Sequence, residues 1–455
     1  MIDSRTDTVV GVGLLVAIVF TALAHGAVES WSVGIFELWI ILLLFAWSTK
    51  MVIGRGTKLI IPVTLWPIAA FLAYGLIQSL QFSDSDGNIT SLSRDVEATK
   101  TTVLILFFLL ASHLIAANVF ESEKRALFLV RFLTVFGVLL SVFSLIQYLT
   151  KESIFFWTNP GLAVGPWLSG PFVNHNHFAG FIELIIPLPI ALVVTGAARE
   201  SRILYGFGAA IMTGAAIFTA SRGGMIGIAA GLIVVVGLGY SYSRTKTSRP
   251  QNLGDKDVVF SYSSGIKRLV TIVAVIAAFV GGILLLGLDP VVDRLPGNEL
   301  IAVGNNTESF ETSRGWIWRN SWKVFEAHPI TGTGMGSFET VFPSYSPGFA
   351  ATPTGKAQVW DRTHNDYLQV LTDTGLIGAA IVIWFLASLL FAARQGLRSK
   401  DRISQGLAIG SSAATLSILI HSMFDFNLQL PSTSSLFLVL VALLPRLSTD
   451  NKPTH

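Results

Sequence analysis

Residues 372–391 read TDTGLIGAAIVIWFLASLLF, and this run decides the class of fold. An apolar helix of about 20 residues crosses the hydrocarbon core of a bilayer, so the run predicts a membrane-spanning helix. Immediately before it, residues 360–371 read WDRTHNDYLQVL. They place Arg362, His364 and Asn365 where the chain enters the membrane, although polar groups are costly near hydrocarbon. Such groups need either a structural or a chemical reason to be there.

Composition extends this prediction to the whole chain. Of 455 residues, 52% are hydrophobic and 13% are charged, whereas a soluble domain carries about 25% charged residues. The mean hydropathy is +0.63, which is typical of a polytopic membrane protein. The net charge of +3 is scattered between apolar runs rather than clustered, which argues against a nucleic-acid partner. The sequence has no cysteine, so disulfides, thiol catalysis and cysteine-bound metals are excluded.

Twelve apolar runs are long enough to span a bilayer, and they predict an all-α polytopic membrane protein. We place these spans at 8–25, 37–53, 61–80, 101–118, 132–149, 177–195, 203–219, 224–241, 269–288, 375–392, 403–424 and 432–446. One long, partly helical loop separates the ninth span from the tenth. The sequence therefore predicts a transmembrane bundle over 1–288, a loop that carries site residues over 289–374, and further spans over 375–455.

The distribution of Lys and Arg predicts the orientation. Basic residues concentrate in alternate loops, at positions 50–58, 124–131, 199–202, 244–268 and 394–402. The short loops of the other set hold only Arg94, Lys100, Lys151 and Arg222. The positive-inside rule then places both termini in the cytoplasm. A long loop crosses largely regardless of its charge, so 289–374 is expected on the outer side.

Nearly every unusual polar motif falls on this predicted outer side. The motifs are GPFVNHNHFAGF (170–181), TASRGGMIG (219–227), SFETSRGWIWRNSWKVFEAHP (309–329), HPITGTGMGSF (328–338), THNDYLQV (363–370) and HSMFDFNLQLP (421–431). The predicted cytoplasmic loops carry no phosphate-binding Gly-Lys motif and no carboxylate cluster. Any chemistry is therefore expected outside, where neither ATP nor a nucleotide sugar is available.

Arg222 is a candidate for binding an anion. It lies in SRGG, a Gly-flanked turn in which the backbone can approach a ligand closely. The alternative is an arginine that only snorkels to the interface or caps a helix. Basic residues are scarce in these short loops, which favours a functional role.

Arg314 is the second candidate for an anion site. Ser313 and His328-Pro329 predict a helix that begins at Arg314, on which Trp318 and Trp322 continue the same stripe. The tryptophans are expected to pack on the bundle or on lipid headgroups. A guanidinium at the head of the stripe is better explained as an anion clamp, because its planar fork matches phosphate oxygens bidentately.

His364 is the candidate general base. Thr363 with Asp366 three residues later predicts an N-cap pair that opens a helix. A helix N-terminus disfavours a protonated imidazole, which would keep His364 neutral and able to accept a proton. The alternative is that the whole THND stretch merely starts a helix.

The His-x-His pair of His175 and His177 is only a weak signal for a metal, because no third ligand lies nearby in the sequence. We predict no metal there. Asn174, His175 and Asn176 are instead expected to hydrogen-bond within the bundle or to sugar hydroxyls.

Three of these motifs together resemble the O-antigen ligase family of bacterial envelope enzymes. They are SRGG with Arg222, SRGWIW with Arg314, and THNDYLQVLTDTGLIG with His364. The family carries a His followed by Asn, Ser or Gln, nine residues, Gly, two residues, and Gly, Thr or Tyr. This sequence has His364-Asn365, nine residues, Gly375, two residues and Gly378. The layout of twelve spans with one long outer loop also agrees with the family.

The resemblance implies a glycosyltransferase in the bacterial inner membrane with a periplasmic active site. Members move a glycan from undecaprenyl diphosphate to an acceptor hydroxyl, without metal, nucleotide or other cofactor. The acceptor is lipid A-core or a growing polysaccharide, and membrane lipids surround the enzyme. Arg222 and Arg314 would hold the departing diphosphate, and His364 would take the acceptor proton. Direct attack would invert the anomeric carbon. Candidate contacts to diphosphate and glycan are Arg222, Arg314, Asn174, Asn176, Trp318 and Asn365.

Two alternatives remain open. O-antigen and exopolysaccharide polymerases share the C-terminal motifs, so the sequence does not separate a ligase from a polymerase. A solute transporter can also have twelve spans with both ends inside. Transporters, however, place ionisable groups or broken helices near the midplane, often in repeated halves. Here the clear acidic residue within a predicted span is Glu183, near the outer end, and no internal repeat is visible.

Overall fold

The computed structural model describes residues 2–54, 58–83, 88–151, 167–197, 201–247, 314–346, 360–399 and 401–445. The helices are α1 (Ile2–Leu23), α2 (Ser30–Ile53), α3 (Leu65–Ser79), α4 (Val96–Val119), α5 (Glu123–Thr150), α6 (His175–Glu183), α7 (Pro187–Thr195), α8 (Arg202–Phe218), α9 (Arg222–Thr247), α10 (Arg314–Ala327), α11 (Phe338–Val341), α12 (Asp366–Leu397), α13 (Arg402–His421) and α14 (Pro431–Val441). Two short strands, β1 (Gln81–Ser83) and β2 (Ile89–Ser91), form an antiparallel hairpin. The predicted all-α class is confirmed.

Eight helical stretches in the described residues are long and apolar enough to cross a membrane. They are Arg5–Leu23, Ser30–Ile53, Val96–Val119, Glu123–Thr150, His175–Thr195, Arg222–Gly239, Asp366–Leu397 and Arg402–His421. The shorter apolar helices α3, α8 and α14 match three further predicted spans. The predicted ninth span, 269–288, lies outside the described residues. The chain is thus a multi-pass membrane protein.

Helix α13 is central to the bundle and packs against α7 and α9. Within an 18-residue apolar segment of His175–Thr195, which contains α6 and α7, 94% is buried in the protein, whereas only 22% of such a segment of Asp366–Leu397 is buried. A helix that is apolar on all sides and mostly exposed needs a lipid environment. The protein interior is therefore built on α6, α7 and α13, and α12 lies at its periphery.

Polar contacts distinguish the two ends of the bundle. At one end, the Asp7 carboxylate binds Lys50 at 2.6 Å and Arg125 at 3.5 Å, which joins α1, α2 and α5. At the other end, which we call the site end, Gln78 Nε2 donates to the carbonyl oxygens of Thr331 and Asp373. The orientation of the two ends relative to the cell remains a prediction.

The described part of the predicted loop lies at the site end of the bundle. Helix α10 (Arg314–Ala327) ends directly before His328-Pro329, as the sequence predicts. The proposed cap Ser313 lies outside the described residues. The segment after α10 then bonds to α12, where Thr333 N donates to Thr372 O and Leu376 N to Pro329 O.

Gly375 makes this attachment possible by breaking α12. Its φ of 62° and ψ of −157° are not helical, and a Cβ there would lie 2.4 Å from the Ile330 carbonyl oxygen. Only glycine adopts this conformation without strain. The predicted span start at 375 therefore coincides with a kink, while the helix itself starts nine residues earlier, at Asp366.

Replacing Gly375 by alanine is expected to destabilise the folded protein by about 1–3 kcal/mol, because the backbone is strained and the loop must move. Thermal unfolding of the detergent-solubilised protein measures this as a lower midpoint. The matched control is Gly34→Ala in α2, where nothing lies within 4 Å of the added Cβ. Equal midpoints for the two variants would contradict a structural role for Gly375.

Candidate active site

Asp425 is the centre of a charged cluster at the site end. It lies four residues after the end of α13 at His421, and its side chain is only 1% exposed. Arg314 Nη2 donates to Asp425 Oδ2 at 3.1 Å, and His364 Nδ1 lies 3.2 Å from Asp425 Oδ1. The carboxylate therefore joins two residues that are 61 and 111 positions away from it.

The charge of Asp425 is stabilised by its neighbours. Burial alone would raise its pKa, because a carboxylate is costly away from water. The hydrogen bond with His364 and the positive charge of Arg314 outweigh burial and hold the pKa of Asp425 well below its ordinary value of 3.8. The group is thus an anion at neutral pH. An ionised carboxylate can only accept a hydrogen bond, so His364 donates to it through Nδ1.

His364 precedes α12 in a conformation that holds its ring towards Asp425. Its φ is 53°, which is uncommon for a residue other than glycine. The next residue, Asn365, is the N-cap, and its side-chain oxygen accepts from Tyr367 N and Leu368 N at 3.0 Å each. The predicted cap pair of Thr363 and Asp366 is therefore wrong. His364 lies one residue before the cap, and its partner is a carboxylate.

The residues of that expected pair have other partners. Thr363 Oγ1 donates to the Asn365 carbonyl oxygen at 2.7 Å. The Asp366 carboxylate accepts from Leu428 N and from Gln429 Nε2, so it attaches the start of α12 to the turn after α13. Asparagine at position 365 is a stronger cap than threonine, and the left-handed backbone at His364 delays the helix start until Asp366.

Aromatic side chains enclose the His364 ring. Its centroid lies 5.0 Å from that of Phe426 and 6.0 Å from that of Trp360, both edge-on. Trp318 of α10 donates from Nε1 to the Thr363 carbonyl oxygen at 3.0 Å, which fixes the backbone beside His364. Trp322, one turn later, is 47% exposed and donates to Glu326 instead.

Arg222 is an exposed residue that begins α9 at the same end of the bundle. A Cβ on the adjacent Gly223 would lie 3.2 Å from Phe424 Cβ, so the Arg222 turn packs on the residue next to Asp425. Arg222 and Arg314 are 92 positions apart in the sequence. Both therefore adjoin one short segment, 421–425.

The predicted residues at the start of α6 lie near the cluster. Asn174 caps α6, with its side-chain oxygen accepting from Asn176 N at 2.8 Å, and Asn176 is buried. The His177 ring lies 4.8 Å from Phe426, on which His364 also packs. His175 instead packs near Trp167, at 6.3 Å. In the part of the chain that the structure describes, no three His, Asp or Glu side chains are arranged to bind a metal ion.

The sequence alone indicates no role for Asp425 and Phe426. Both lie in HSMFDFNLQLP (421–431), which stood out as an outer-face motif. The one signal in the sequence is that Asp425 lies between two phenylalanines after a membrane helix, where a carboxylate needs a cationic partner. Its partners, Arg314 and His364, are too distant in the sequence to be identified without the fold.

Comparison with known families supports this picture. Residues 207–383 match the family model described as O-antigen ligase, and this stretch contains Arg222, Arg314 and His364. Asp425 lies beyond the matched residues. No curated protein matches the chain. The resemblance to the O-antigen ligase family is thereby confirmed over residues 207–383, which supports, at this coarse level, a glycosyltransferase-like membrane enzyme of the O-antigen ligase or polymerase type in polysaccharide biosynthesis.

Proposed function

We propose that this protein transfers a glycan from undecaprenyl diphosphate to an acceptor hydroxyl on the periplasmic face of the bacterial inner membrane. One observation carries the proposal. Arg314, Asp425 and His364 form a single cluster where α12 begins, and the Arg222 turn packs on the same segment. A diphosphate on a membrane lipid lies at headgroup depth, which is where a residue at the start of a spanning helix can reach it.

In this proposal His364 is the general base. With Nδ1–H directed to Asp425, the lone pair of Nε2 can accept the proton of the acceptor hydroxyl. The imidazolium that forms is then stabilised by the Asp425 anion, and the hydrogen bond also keeps the ring in one orientation. The deprotonated oxygen attacks the anomeric carbon from the side opposite the leaving group, so the transfer inverts the configuration.

The two arginines stabilise the leaving diphosphate. Arg314 contacts Asp425 through one nitrogen, yet its side chain is 42% exposed, so the carboxylate orients the guanidinium without enclosing it. Arg222 is exposed at the N-terminus of α9, where the helix dipole also favours an anion. The bond to diphosphate supplies the driving force, and the proposed reaction uses no cofactor.

The glycan contacts are proposed around this centre. Asn174 and Asn176 at the start of α6, together with Trp318 and Asn365, are the candidate residues for binding sugar hydroxyls and rings. Trp318 and Asn365 also hold the backbone on either side of His364. The acceptor is lipid A-core in a ligase and a growing polysaccharide in a polymerase, and both remain candidates.

Arg222→Lys and Arg314→Lys are each expected to slow transfer about 10-fold or more, because an ammonium cannot replace the bidentate guanidinium on a phosphate. The measurement is the rate of glycan transfer by purified protein with a glycan-bearing undecaprenyl diphosphate. Arg319→Lys is the matched control, since Arg319 is an exposed arginine of α10. Normal rates for both Arg222→Lys and Arg314→Lys would contradict the anion clamp.

A further inference from the structure

Three buried side chains form a hydrogen-bonded chain next to the Arg222 turn. His421, the last residue of α13, directs Nδ1 to Glu183 Oε1 of α6 at 3.0 Å. Its Nε2 lies 3.3 Å from Ser221 Oγ, in the turn before α9. Glu183 is 0% exposed, and His421 and Ser221 are each 1% exposed. Three helices thus meet at one polar chain inside an apolar bundle.

Ser221 connects this chain to the backbone of the Arg222 turn. Its Oγ accepts from Gly224 N at 3.2 Å, which caps α9, and its own N–H donates to Thr219 Oγ1 at 3.1 Å. Both ring nitrogens of His421 are satisfied when His421 Nδ1–H donates to Glu183 Oε1 and the Ser221 hydroxyl donates to His421 Nε2. The backbone on either side of Arg222 is therefore fixed by hydrogen bonds that end at Glu183.

The imidazole ring also sets how close α9 can approach. A Cβ at Gly223 would lie 2.5 Å from His421 Cδ2, so the start of α9 rests directly on the ring. His421 is four residues before Asp425 and is bonded to it through the backbone, Asp425 N donating to His421 O at 3.1 Å. The ring thus holds the Arg222 turn and the Asp425 segment in one fixed relation.

A purely structural tie between these helices would not require ionisable groups. Buried polar groups are costly unless fully paired, and apolar side chains of similar volume could join α6, α9 and α13 at less cost. A nucleophilic role for Ser221 does not fit its burial. The hydrogen bonds from Glu183 through His421 to Ser221 instead fix the orientation of the Arg222 turn, because hydrogen bonds are directional and apolar contacts are not.

We propose that Glu183, His421 and Ser221 are positioning residues that hold Arg222 where it binds the diphosphate of the donor. The proposal rests on the proposed function, in which Arg222 contacts that diphosphate. Removing one of these hydrogen bonds is expected to displace the Arg222 guanidinium and so to weaken donor binding. The base, His364, is expected to stay in place.

The test measures the dissociation constant of undecaprenyl diphosphate on the full-length protein in detergent. Ser221→Ala and Glu183→Gln are each expected to raise this constant about 10-fold, the size expected for a lost hydrogen bond that orients a charged group. Ser221→Thr keeps the hydroxyl and is expected to bind within about twofold of the wild type. The matched control is Thr64→Ala, which removes another buried hydroxyl–imidazole contact, 2.8 Å from His113 Nε2, in α3–α4 packing.

A double-mutant cycle separates positioning from general destabilisation. In an Arg222→Ala background, Ser221→Ala is expected to weaken binding by less than about twofold, because the residue it positions is gone. A full tenfold effect in that background, or a normal constant for both Ser221→Ala and Glu183→Gln, overturns the proposal. Failure of the wild-type protein to bind undecaprenyl diphosphate at all would instead overturn the proposed function.

Discussion

Replacing His364 by alanine is expected to lower the rate of glycan transfer about 10²–10⁴-fold, the usual contribution of a positioned general base. The protein should remain folded and abundant in the membrane, because His364 precedes the cap of α12 and the cap itself is formed by Asn365. His364→Gln is expected to be equally impaired, since an amide of similar size cannot take a proton at neutral pH. The rate is measured with purified protein and a glycan-bearing undecaprenyl diphosphate.

The control for this variant is His328→Ala. His328 lies in the same predicted loop, after α10, and is only partly buried. A histidine outside the cluster should be dispensable, so a rate close to that of the wild type is expected. Transfer at the normal rate by His364→Ala would contradict the role of His364 as the general base.

Replacing Asp425 by asparagine is expected to lower the transfer rate about 10²–10⁴-fold, as happens when the carboxylate partner of a catalytic histidine loses its charge. The amide no longer stabilises the imidazolium, and it can hold the wrong tautomer of His364. Arg314 loses the anion that orients its guanidinium. Asp361→Asn is the control, because Asp361 is an exposed carboxylate close to His364 in the sequence.

Asp425→Asn is also expected to change how the stability of the folded protein depends on pH. The pKa of Asp425 is lower in the folded protein than its ordinary value of 3.8. The ionised carboxylate therefore stabilises the folded protein at pH values above 3.8, and this contribution is lost as the pH falls through the pKa of the folded state. The unfolding midpoint of Asp425→Asn should therefore lie below that of the wild type at neutral pH. The gap should narrow as the pH falls below about 4. A gap that is independent of pH would contradict the ion pairs at Asp425.

The sequence predicted the helices well because hydropathy alone determines where a chain can cross a bilayer. It also predicted where α10 ends, since His328-Pro329 gives a clear stop signal. The cap of α12 was predicted at Thr363 instead of Asn365. Both residues can cap a helix, and the choice depends on the positive φ of His364, which no pattern reveals.

The candidate site was only half predictable. Arg222, Arg314 and His364 were identifiable from their motifs, but Asp425 was not, because its role depends on distances between segments far apart in the sequence. The chain from Glu183 through His421 to Ser221 was hidden for the same reason. In the sequence Glu183 is only an acidic residue near the outer end of a predicted span, whereas the fold links it through His421 to the Arg222 turn.

The proposed transfer of a glycan from a lipid diphosphate to a hydroxyl can be measured directly. The most direct test is to incubate the purified wild-type protein with undecaprenyl diphosphate carrying a radiolabelled glycan, together with lipid A-core or with a second molecule of the donor. We expect the label to move to one of these acceptors and free undecaprenyl diphosphate to be released in equal amount. Movement to lipid A-core identifies a ligase, and lengthening of the donor glycan identifies a polymerase. An intact donor in the presence of folded protein and both acceptors would contradict the proposed function.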